Sequence, residues 1–384
     1  MSGEAAIGLV TCLPLAIWIY LLLGRGGFWL ARERDDRAQP PEPPTWPAVT
    51  AVVPARDEAD VIARSIGSLL AQDYPGPFRV VLVDDDSSDG TGRLARALLN
   101  SEALTVIQGA PLPADWTGKL WAMKQGVDAA GPGEGSPKYL LLTDADIAHA
   151  PDNLRRLVAR AAAGGLVLTS LMAKLRCANG AERMLIPAFV YFFALVYPFA
   201  KVNDPKSRVA GAAGGCMLAR ADALAAAGGI TAIRTALIDD CTLGALMKAQ
   251  GPIWLGLTER ARSIRPYATI GEIGRMIARS AYAQLDYSPL ILAVAVLGMV
   301  LTYLAAPVVA IAVPGVWRWA GVAAWALMAL SFQPMLRFYR RSPLWGLVLP
   351  VIGALYTLFT LQSAIDVWRG RGGAWKGRVQ ALAG

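Results

Sequence analysis

The sequence has few of the residues on which zinc sites, disulfides and phosphate-binding loops depend. Its four cysteines, Cys12, Cys177, Cys216 and Cys241, show no paired spacing, which indicates neither a zinc site nor a disulfide framework and fits a reducing cytoplasm. There is no G-x-G-x-x-G or G-x-x-x-x-G-K-[ST] motif. A metal ion and a basic side chain, rather than a glycine loop, would therefore have to hold any phosphate group.

Charged residues are also scarce. They make up 17% of the chain against 55% hydrophobic residues, and the mean hydropathy of +0.40 is too high for an ordinary soluble protein. The first candidate membrane segment is Ala5–Leu23, which has no signal-peptide cleavage site and is followed by Arg25, Arg32, Arg34 and Arg37. The positive-inside rule places the residues after it in the cytoplasm.

Three more apolar stretches follow near the C-terminus: Pro289–Val313, Trp317–Phe332 and Leu344–Ile365. If all three crossed the membrane, the basic tail would end outside, against the positive-inside rule. The second stretch is short, and Pro350 and Gly353 interrupt the third, so one of them is a candidate re-entrant or interfacial segment. The number of crossings stays open.

The segments define an expected domain order. It comprises a membrane anchor (1–24), a basic, proline-rich linker (25–48), a folded domain (49–270), an interfacial connector (271–288), the C-terminal membrane or re-entrant segments (289–366) and a basic tail (367–384). The net charge of +8 lies mainly beside the membrane segments, which favours membrane lipids over nucleic acid as partners. We expect a multi-pass protein of a bacterial inner membrane with its folded domain in the cytoplasm.

Short apolar runs alternate with helical patterns in the folded domain, which predicts an α/β fold with a mainly parallel, Rossmann-like sheet. The predicted strands are "TAVVPA", "FRVVLVDD", "LTVIQG", "YLLLTDAD" and "LVLTSLMA". Ligands of such sheets bind beyond the carboxyl ends of the strands. Pro187–Ala200 is aromatic and uncharged; it is predicted either to lie on the membrane or over an acceptor groove, or to be a buried helix in the domain core.

Asp144 and Asp146 follow one of these strands directly. Two carboxylates so close repel each other unless a cation lies between them, and their oxygens suit Mg²⁺ or Mn²⁺ bound together with a diphosphate. His149 is a candidate third ligand, which would favour manganese; the alternative is that it only begins the next helix.

Other strand ends are polar too. The first leads from Pro54 into Arg56, Asp57 and Glu58, and the second into three successive aspartates, Asp84–Asp86. Helix capping explains part of this pattern, and contacts to a ribose or a base explain the rest.

Three more groups complete the candidates. Lys119 is a candidate diphosphate-binding side chain or, alternatively, a solvated surface lysine. Gly214 and Gly215 indicate close approach or a sharp turn of the backbone. Asp239 and Asp240 begin a helix, where they either cap it or supply a base that takes a proton from an attacking hydroxyl.

In chain order, "VVPARDEAD", "VLVDDDSSDGT", "GK", "TDAD", "GAAGGCML" and "IDDCTLG" resemble the family 2 glycosyltransferases of the GT-A fold, over about Thr50–Pro266. Finer features, including "PLPADWTGKLWAMKQG", "RMLIPAFVYFFALVYPFAKVNDP" and "AYAQLDYSPL", resemble the hopene-associated branch. The tail "AWKGR" is similar to the ending of lipid-modifying members, whose tail is cytosolic; this supports a re-entrant segment.

The resemblance implies a role for each candidate residue. The nucleotide-sugar donor, expected to be a UDP-sugar, would bind at the strand ends and near the diphosphate-binding lysine. Asp144 and Asp146 would hold the metal. Asp240, beside Asp239, would be the base of an inverting transfer. The donor- and acceptor-binding set comprises Pro54, Arg56, Asp57, Glu58, Asp84, Asp85, Lys119, Asp144, Gly214, Gly215 and Arg279.

The sequence departs from the family pattern in places. Many members have Asn at the position of Asp57 and Gly at that of Asp86. Processive members carry Q-x-x-R-W after the base, whereas "GRMIARSAYAQL" retains only Arg279 of that motif, with Met276 and Ser280 at the flanking positions. We therefore expect transfer of one sugar to a lipid hydroxyl, such as that of a hopanoid. The alternatives are a polyprenyl-phosphate sugar transferase and a non-catalytic nucleotide-binding scaffold.

Overall fold

The structure, a computed structural model, describes residues 3–98, 103–131, 136–375 and 378–379. It divides into two compact units. The first comprises Met1–Arg32, Cys177–Ala200 and Tyr267–Gly373. The second comprises Glu33–Arg176 and Lys201–Pro266, together with the C-terminal segment from Ala374.

The bounds of the elements are as follows. The strands are β1 (Val49–Ala55), β2 (Phe78–Asp84), β3 (Leu104–Gln108), β4 (Tyr139–Thr143), β5 (Ile147–His149), β6 (Leu168–Lys174), β7 (Cys216–Arg220), β8 (Ile253–Ser263), β9 (Ala374–Trp375) and β10 (Arg378–Val379). The helices are α1 (Gly3–Gly24), α2 (Ile62–Leu70), α3 (Thr91–Arg96), α4 (Gly118–Ala130), α5 (Asn153–Gly164), α6 (Gly180–Val196), α7 (Phe199–Asn203), α8 (Ala221–Ala226), α9 (Asp239–Lys248), α10 (Ile270–Ala281), α11 (Pro289–Met299), α12 (Ala305–Ala312), α13 (Arg318–Phe338) and α14 (Leu349–Trp368).

An eight-stranded sheet forms the centre of the second unit, in the order β3-β2-β1-β4-β7-β6-β8-β5. The β3-β2-β1-β4 half is parallel, as is the β6-β8 pair, whereas β4-β7, β7-β6 and β8-β5 are antiparallel. The predicted Rossmann-like, mainly parallel sheet is confirmed. The five predicted strands are β1, β2, β3, β4 and β6. The apolar runs of β1 and β4 are continuous because both faces of these strands are buried.

The packing of α4 on the sheet depends on one glycine. A Cβ atom at Gly126 would lie 2.4 Å from Cγ1 of Val52 on β1, so only glycine allows the helix to approach so closely. Close contact with β1 and β2 fixes the direction of α4. The same helix carries Lys119 in its first turn.

The predicted linker begins as part of the sheet unit. The backbone N–H of Asp35 donates to Leu257 O at 3.0 Å, and Leu257 N–H donates to Glu33 O at 2.8 Å. The Asp35 carboxylate is buried and accepts hydrogen bonds from Thr258 Oγ1 at 2.7 Å and Arg260 Nη1 at 3.2 Å. Residues 33–35 are therefore docked on β8, ahead of the proline-rich stretch.

The first unit is helical. Three of its helical segments are long and apolar enough to cross a membrane: Pro289–Ala312, Arg318–Phe338 and Leu349–Trp368, with 24, 21 and 20 residues. The middle one is longer than the predicted Trp317–Phe332, so its length is no reason to treat it as re-entrant. Pro350 does not interrupt the last helix, because it lies in the first turn, where a missing N–H costs no hydrogen bond.

The aromatic segment Pro187–Ala200 forms most of α6 and the start of α7, and it lies in the first unit. The alternative that it is a core helix of the sheet domain is therefore wrong. Tyr191 shares a hydrogen bond of 2.7 Å with Ser331 on α13, and Tyr356 on α14 donates to Leu185 O at 2.9 Å. In the tail, Trp375 pairs with Arg378 in a two-stranded ribbon, and Lys376 lies outside the described residues.

Candidate active site

The loops after β1 and β2 interlock at the carboxyl ends of these strands. Asp57 adopts a left-handed backbone conformation with φ of 49°, and its N–H donates to Ser87 Oγ at 3.1 Å. In return, its Oδ1 accepts hydrogen bonds from the Ser88 N–H at 2.8 Å and the Ser88 hydroxyl at 3.2 Å. Hydrogen bonds thus connect the two loops that are predicted to bind the nucleotide.

The acidic residues after β2 are largely enclosed. Asp84 and Asp85 are only 4% and 1% exposed; Asp84 Oδ1 accepts from the Ser87 N–H at 3.2 Å, and Asp85 Oδ2 lies 3.9 Å from Nη1 of Arg56. Arg56 also donates to the backbone carbonyl of Asp85. Pro54 is buried within β1. These residues shape the strand ends, and their predicted contact with a nucleotide stays a prediction.

Lys119 joins the two acidic pairs that the sequence singled out. Its Nζ lies 2.8 Å from Asp144 Oδ1 and 2.9 Å from Asp239 Oδ2, and its side chain is 18% exposed. Burial lowers the pKa of Lys119, but the charges of Asp144 and Asp239 outweigh this effect, and the pKa is raised. Lys119 is therefore a charged residue inside the cluster, and the alternative of a solvated surface lysine does not describe it.

Asp240, next to Asp239 at the start of α9, is held by backbone groups. Its Oδ2 accepts a hydrogen bond from the Gly214 N–H at 2.9 Å, and its Oδ1 accepts one from the Cys241 N–H at 2.7 Å. Burial and the neighbouring charge of Asp239 raise the pKa of Asp240 to about 6, against the lowering effect of Lys119. A carboxylate with this pKa is ionised at neutral pH and is a stronger base than an exposed aspartate.

Helix α9 packs on the backbone of the glycine segment, residues 211–215. A Cβ atom at Gly244 would lie 2.7 Å from the carbonyl carbon of Gly211, so α9 rests directly on this backbone. Cys241 Sγ donates to Ala212 O at 3.5 Å. At the other end of the helix, Lys248 Nζ donates to Val202 O at 2.7 Å and to Val209 O at 2.6 Å.

Gly215 belongs to the same segment. Its carbonyl accepts a hydrogen bond from Thr143 Oγ1 at 2.7 Å. Its hydrogen atoms face the core, where a Cβ would lie 3.0 Å from that of Ala173. The backbone turn predicted at Gly214 and Gly215 is thereby fixed to the end of β4, and α9 is fixed to the turn.

The two carboxylates of the Asp144-x-Asp146 turn have internal cationic partners. Asp144 contacts Lys119, and Asp146 Oδ2 accepts hydrogen bonds from Arg265 Nε at 3.1 Å and Ser263 Oγ at 3.2 Å. Sequence reasoning missed Arg265. The signal for it was the run "RARSIR", which places basic residues at the end of a strand.

This turn can hold a divalent ion together with a diphosphate. No group of three or more His, Cys, Asp or Glu side chains suited to a metal occurs in the described parts of the chain. Two carboxylates are nevertheless what Mg²⁺ or Mn²⁺ uses when phosphate oxygens and water complete its coordination. The Asp144 side chain is 33% exposed, and its contact with Lys119 uses Oδ1, so the residues present fit such an ion.

The prediction that His149 is a metal ligand is wrong. His149 is 6% exposed; its Nε2 lies 3.0 Å from Thr143 Oγ1 and its Nδ1 lies 2.9 Å from Asn153 Nδ2. Because the Thr143 hydroxyl donates to Gly215 O, His149 Nε2–H donates to Thr143 and Nδ1 accepts from Asn153. Burial lowers the pKa of His149 to about 4, so this ring is a neutral core group at neutral pH.

Two further predicted binding residues are Glu58 and Arg279. Glu58 is buried and forms an ion pair with Arg265 through both carboxylate oxygens. Arg279 is exposed on α10, in the first unit. The structure therefore brings Lys119 together with Asp144 and Asp239, and it pairs Glu58 with Arg265.

Comparisons with known proteins agree with this geometry. Residues 50–227 match the profile of Glycosyl transferase family 2. Over 131 residues, 33% of the chain, the sequence is 34% identical to the succinoglycan biosynthesis protein ExoO of Rhizobium meliloti. The match likewise covers 33% of ExoO, so this chain spans about a third of the length of that curated relative.

A solved structure shares the fold. The mannosyltransferase PcManGT from Pyrobaculum calidifontis, in complex with GDP-Man and Mn²⁺, superposes with a TM-score of 0.53 and 19% identity, over 93% of this chain and 99% of that one. The profile match covers β2 to β7, the acidic turn and the glycine segment described above, and it ends before Asp239, Asp240 and β8. Residues 50–227 of this chain are therefore similar to glycosyl transferase family 2, and the fold is GT-A.

Proposed function

We propose that the protein is a membrane-bound, metal-dependent, inverting glycosyltransferase that moves a single sugar from a nucleotide-sugar donor to a lipid hydroxyl. One observation carries the proposal. The ammonium group of Lys119 lies 2.8 Å from Asp144 and 2.9 Å from Asp239, beside Asp240, whose pKa is about 6. A diphosphate-binding group and a base are thus adjacent.

Each group has a distinct task in this reaction. Asp144 and Asp146 would hold the divalent ion, which would supply positive charge to the departing diphosphate. Lys119 supplies a second positive charge on the same side. Asp240, oriented by the backbone N–H groups of Gly214 and Cys241, removes the proton of the acceptor hydroxyl as its oxygen attacks the anomeric carbon.

Separate observations support the proposed acceptor and the proposed location. Three helical segments are apolar and long enough to cross a membrane, which supports a multi-pass enzyme of a bacterial inner membrane with a lipid substrate. The resemblance to the hopene-associated branch makes a hydroxylated hopanoid the first acceptor to test. For the donor we propose a UDP-sugar; the complex of PcManGT with GDP-Man and Mn²⁺ makes GDP-mannose the comparison donor.

The test uses the purified full-length protein in detergent with Mn²⁺, UDP-glucose or GDP-mannose, and two acceptors, a hydroxylated hopanoid and a polyprenyl phosphate. We expect sugar transfer to the hopanoid and a loss of about 10²- to 10⁴-fold in turnover for Asp240→Asn, with donor binding unchanged. Transfer to the phosphate with little loss in Asp240→Asn would instead identify a polyprenyl-phosphate sugar transferase, whose nucleophile needs no base.

A non-catalytic scaffold is the remaining alternative. An enzyme hydrolyses its donor slowly even without an acceptor, and Asp146→Ala should abolish this hydrolysis by removing a metal ligand. Donor binding without hydrolysis or transfer, in the wild type and in Asp146→Ala alike, would support the scaffold. An exposed aspartate of α4, Asp128, provides the matched control variant, Asp128→Ala.

A further inference from the structure

Arg265, just beyond the end of β8, is shared between two carboxylates. Its Nε donates to Asp146 Oδ2 at 3.1 Å, and its Nη2 donates to both oxygens of Glu58. The Glu58 side chain is only 9% exposed, whereas that of Asp146 is 16% exposed. A buried carboxylate without a partner is costly, so Glu58 attracts Arg265 strongly.

The frame around this pair is fixed by backbone contacts. The Ile264 N–H donates to Asp146 O at 2.9 Å, and Ile147 on β5 is paired with Ser263 on β8. The Glu58 N–H donates to Thr91 Oγ1 at 2.7 Å. Since neither carboxylate can move far, the arginine side chain is the element that can shift between them.

We propose that the Glu58–Arg265 pair sets the affinity of Asp146 for the divalent ion. Arg265 is a positioning residue: it neutralises Asp146 while the ion is absent and competes with the ion for this carboxylate. Glu58 holds Arg265 on the other side and so limits that competition. This inference rests on the metal role of Asp146 proposed above and adds two residues that regulate it.

The pair predicts opposite effects for its two members. In Arg265→Gln the competing positive charge is lost, so Mn²⁺ should bind about tenfold more tightly. In Glu58→Gln the arginine loses its ion pair with Glu58 and keeps the one with Asp146, so Mn²⁺ should bind about tenfold more weakly. A merely structural role would move both variants in the same direction, because each breaks a buried ion pair.

The measurement is Mn²⁺ binding to the full-length protein in detergent, followed by the electron paramagnetic resonance signal of free Mn²⁺, with and without UDP. Asp146→Ala defines the background from other sites. Arg262→Gln is the matched control, because Arg262 lies near the end of β8, close to Arg265 in sequence, but its side chain is 59% exposed; the Mn²⁺ affinity of this variant should equal that of the wild type.

Folding is tested separately with the double variant Glu58→Gln/Arg265→Gln, which removes both charges of the buried Glu58–Arg265 ion pair together. It should bind Mn²⁺ more tightly than the wild type, as Arg265→Gln does. If the wild type binds Mn²⁺ but the three variants leave the affinity unchanged or all weaken it, the inference is wrong and the metal site stands. If the wild type binds no Mn²⁺ even with UDP, the metal site itself is wrong, and the inference is wrong with it.

Discussion

The two acidic pairs of the site share one lysine but differ in their other partners. Asp144 and Asp239 each contact Lys119, whereas Asp146 contacts the side chains of Arg265 and Ser263. Asp240, next to Asp239, accepts hydrogen bonds from the backbone N–H groups of Gly214 and Cys241. Asp144 and Asp146 are thus neutralised by flexible side chains, whereas Asp240 is oriented by the main chain.

This difference indicates what each pair can exchange. A cationic side chain can move aside and leave its carboxylate to another cation, so the Asp144-x-Asp146 turn suits an ion that arrives with the donor. Backbone N–H groups cannot move aside, so Asp240 keeps one orientation, which suits the transfer of a proton to a fixed atom. Substitutions at the two pairs should therefore differ in their effects on turnover, pH dependence and stability.

The largest effect should follow the loss of the shared lysine. Lys119→Met leaves both acidic pairs without their common counter-ion and removes a positive charge from the diphosphate site, so turnover should fall by about 10²- to 10³-fold. Steady-state transfer measures it. Lys124→Met is the control, because Lys124 pairs only with the exposed Asp128 on the same helix. Equal turnover in the two variants would contradict a role of Lys119 in the reaction.

The second effect is a pH dependence of turnover that arises from Asp240, the aspartate held by backbone N–H groups. Because the ionised form of Asp240 accepts the proton and its pKa is about 6, turnover should be level above this pH and fall about tenfold per unit below it. Asp239→Asn removes a charge that raises this pKa and should move the acid limb to lower pH, measured as the pH profile of kcat. Asp128→Asn should leave the profile in place; a profile that is flat down to about pH 5 would refute the assignment.

A smaller effect concerns the packing of α9, the helix that carries Asp239 and Asp240. In Gly244→Ala the new Cβ would lie 2.7 Å from Gly211, and overpacking of this kind costs about 1–3 kcal/mol. The melting temperature and turnover should both fall, since α9 carries Asp240. The control is Gly67→Ala on α2, where a Cβ meets nothing within 4 Å. Similar melting temperatures for the two variants would show that α9 does not need this close contact.

The smallest effect on the metal site should come from the histidine. His149→Gln disturbs the buried hydrogen bonds to Thr143 and Asn153, so the melting temperature should fall, because unmade buried hydrogen bonds are costly. The affinity for Mn²⁺ should stay within about twofold of the wild type, because neither ring nitrogen faces the acidic turn as a free ligand. A much weaker affinity at unchanged stability would restore His149 as a ligand.

Local patterns in the sequence predicted the strands and the acidic turn well. Alternating apolar runs and helical periods depend on residues close in the chain, and they placed β1, β2, β3, β4 and β6 and the carboxylates at their ends. The strands β7 and β8 were not predicted, because their partners are distant in sequence. The helix at Arg318–Phe338 was predicted too short, because the apolar pattern weakens before the helix ends.

By itself, the sequence determined the α/β alternation, the apolar C-terminal segments and which carboxylates stand at strand and helix ends. Only the tertiary structure decided the partners of these groups: Lys119 between two acidic pairs, Arg265 between Glu58 and Asp146, and the enclosure of His149. The two kinds of feature differ in how far apart along the chain the residues that produce them lie. Periodicity is a property of neighbouring residues, whereas charge pairing and burial depend on which distant segments the fold brings into contact.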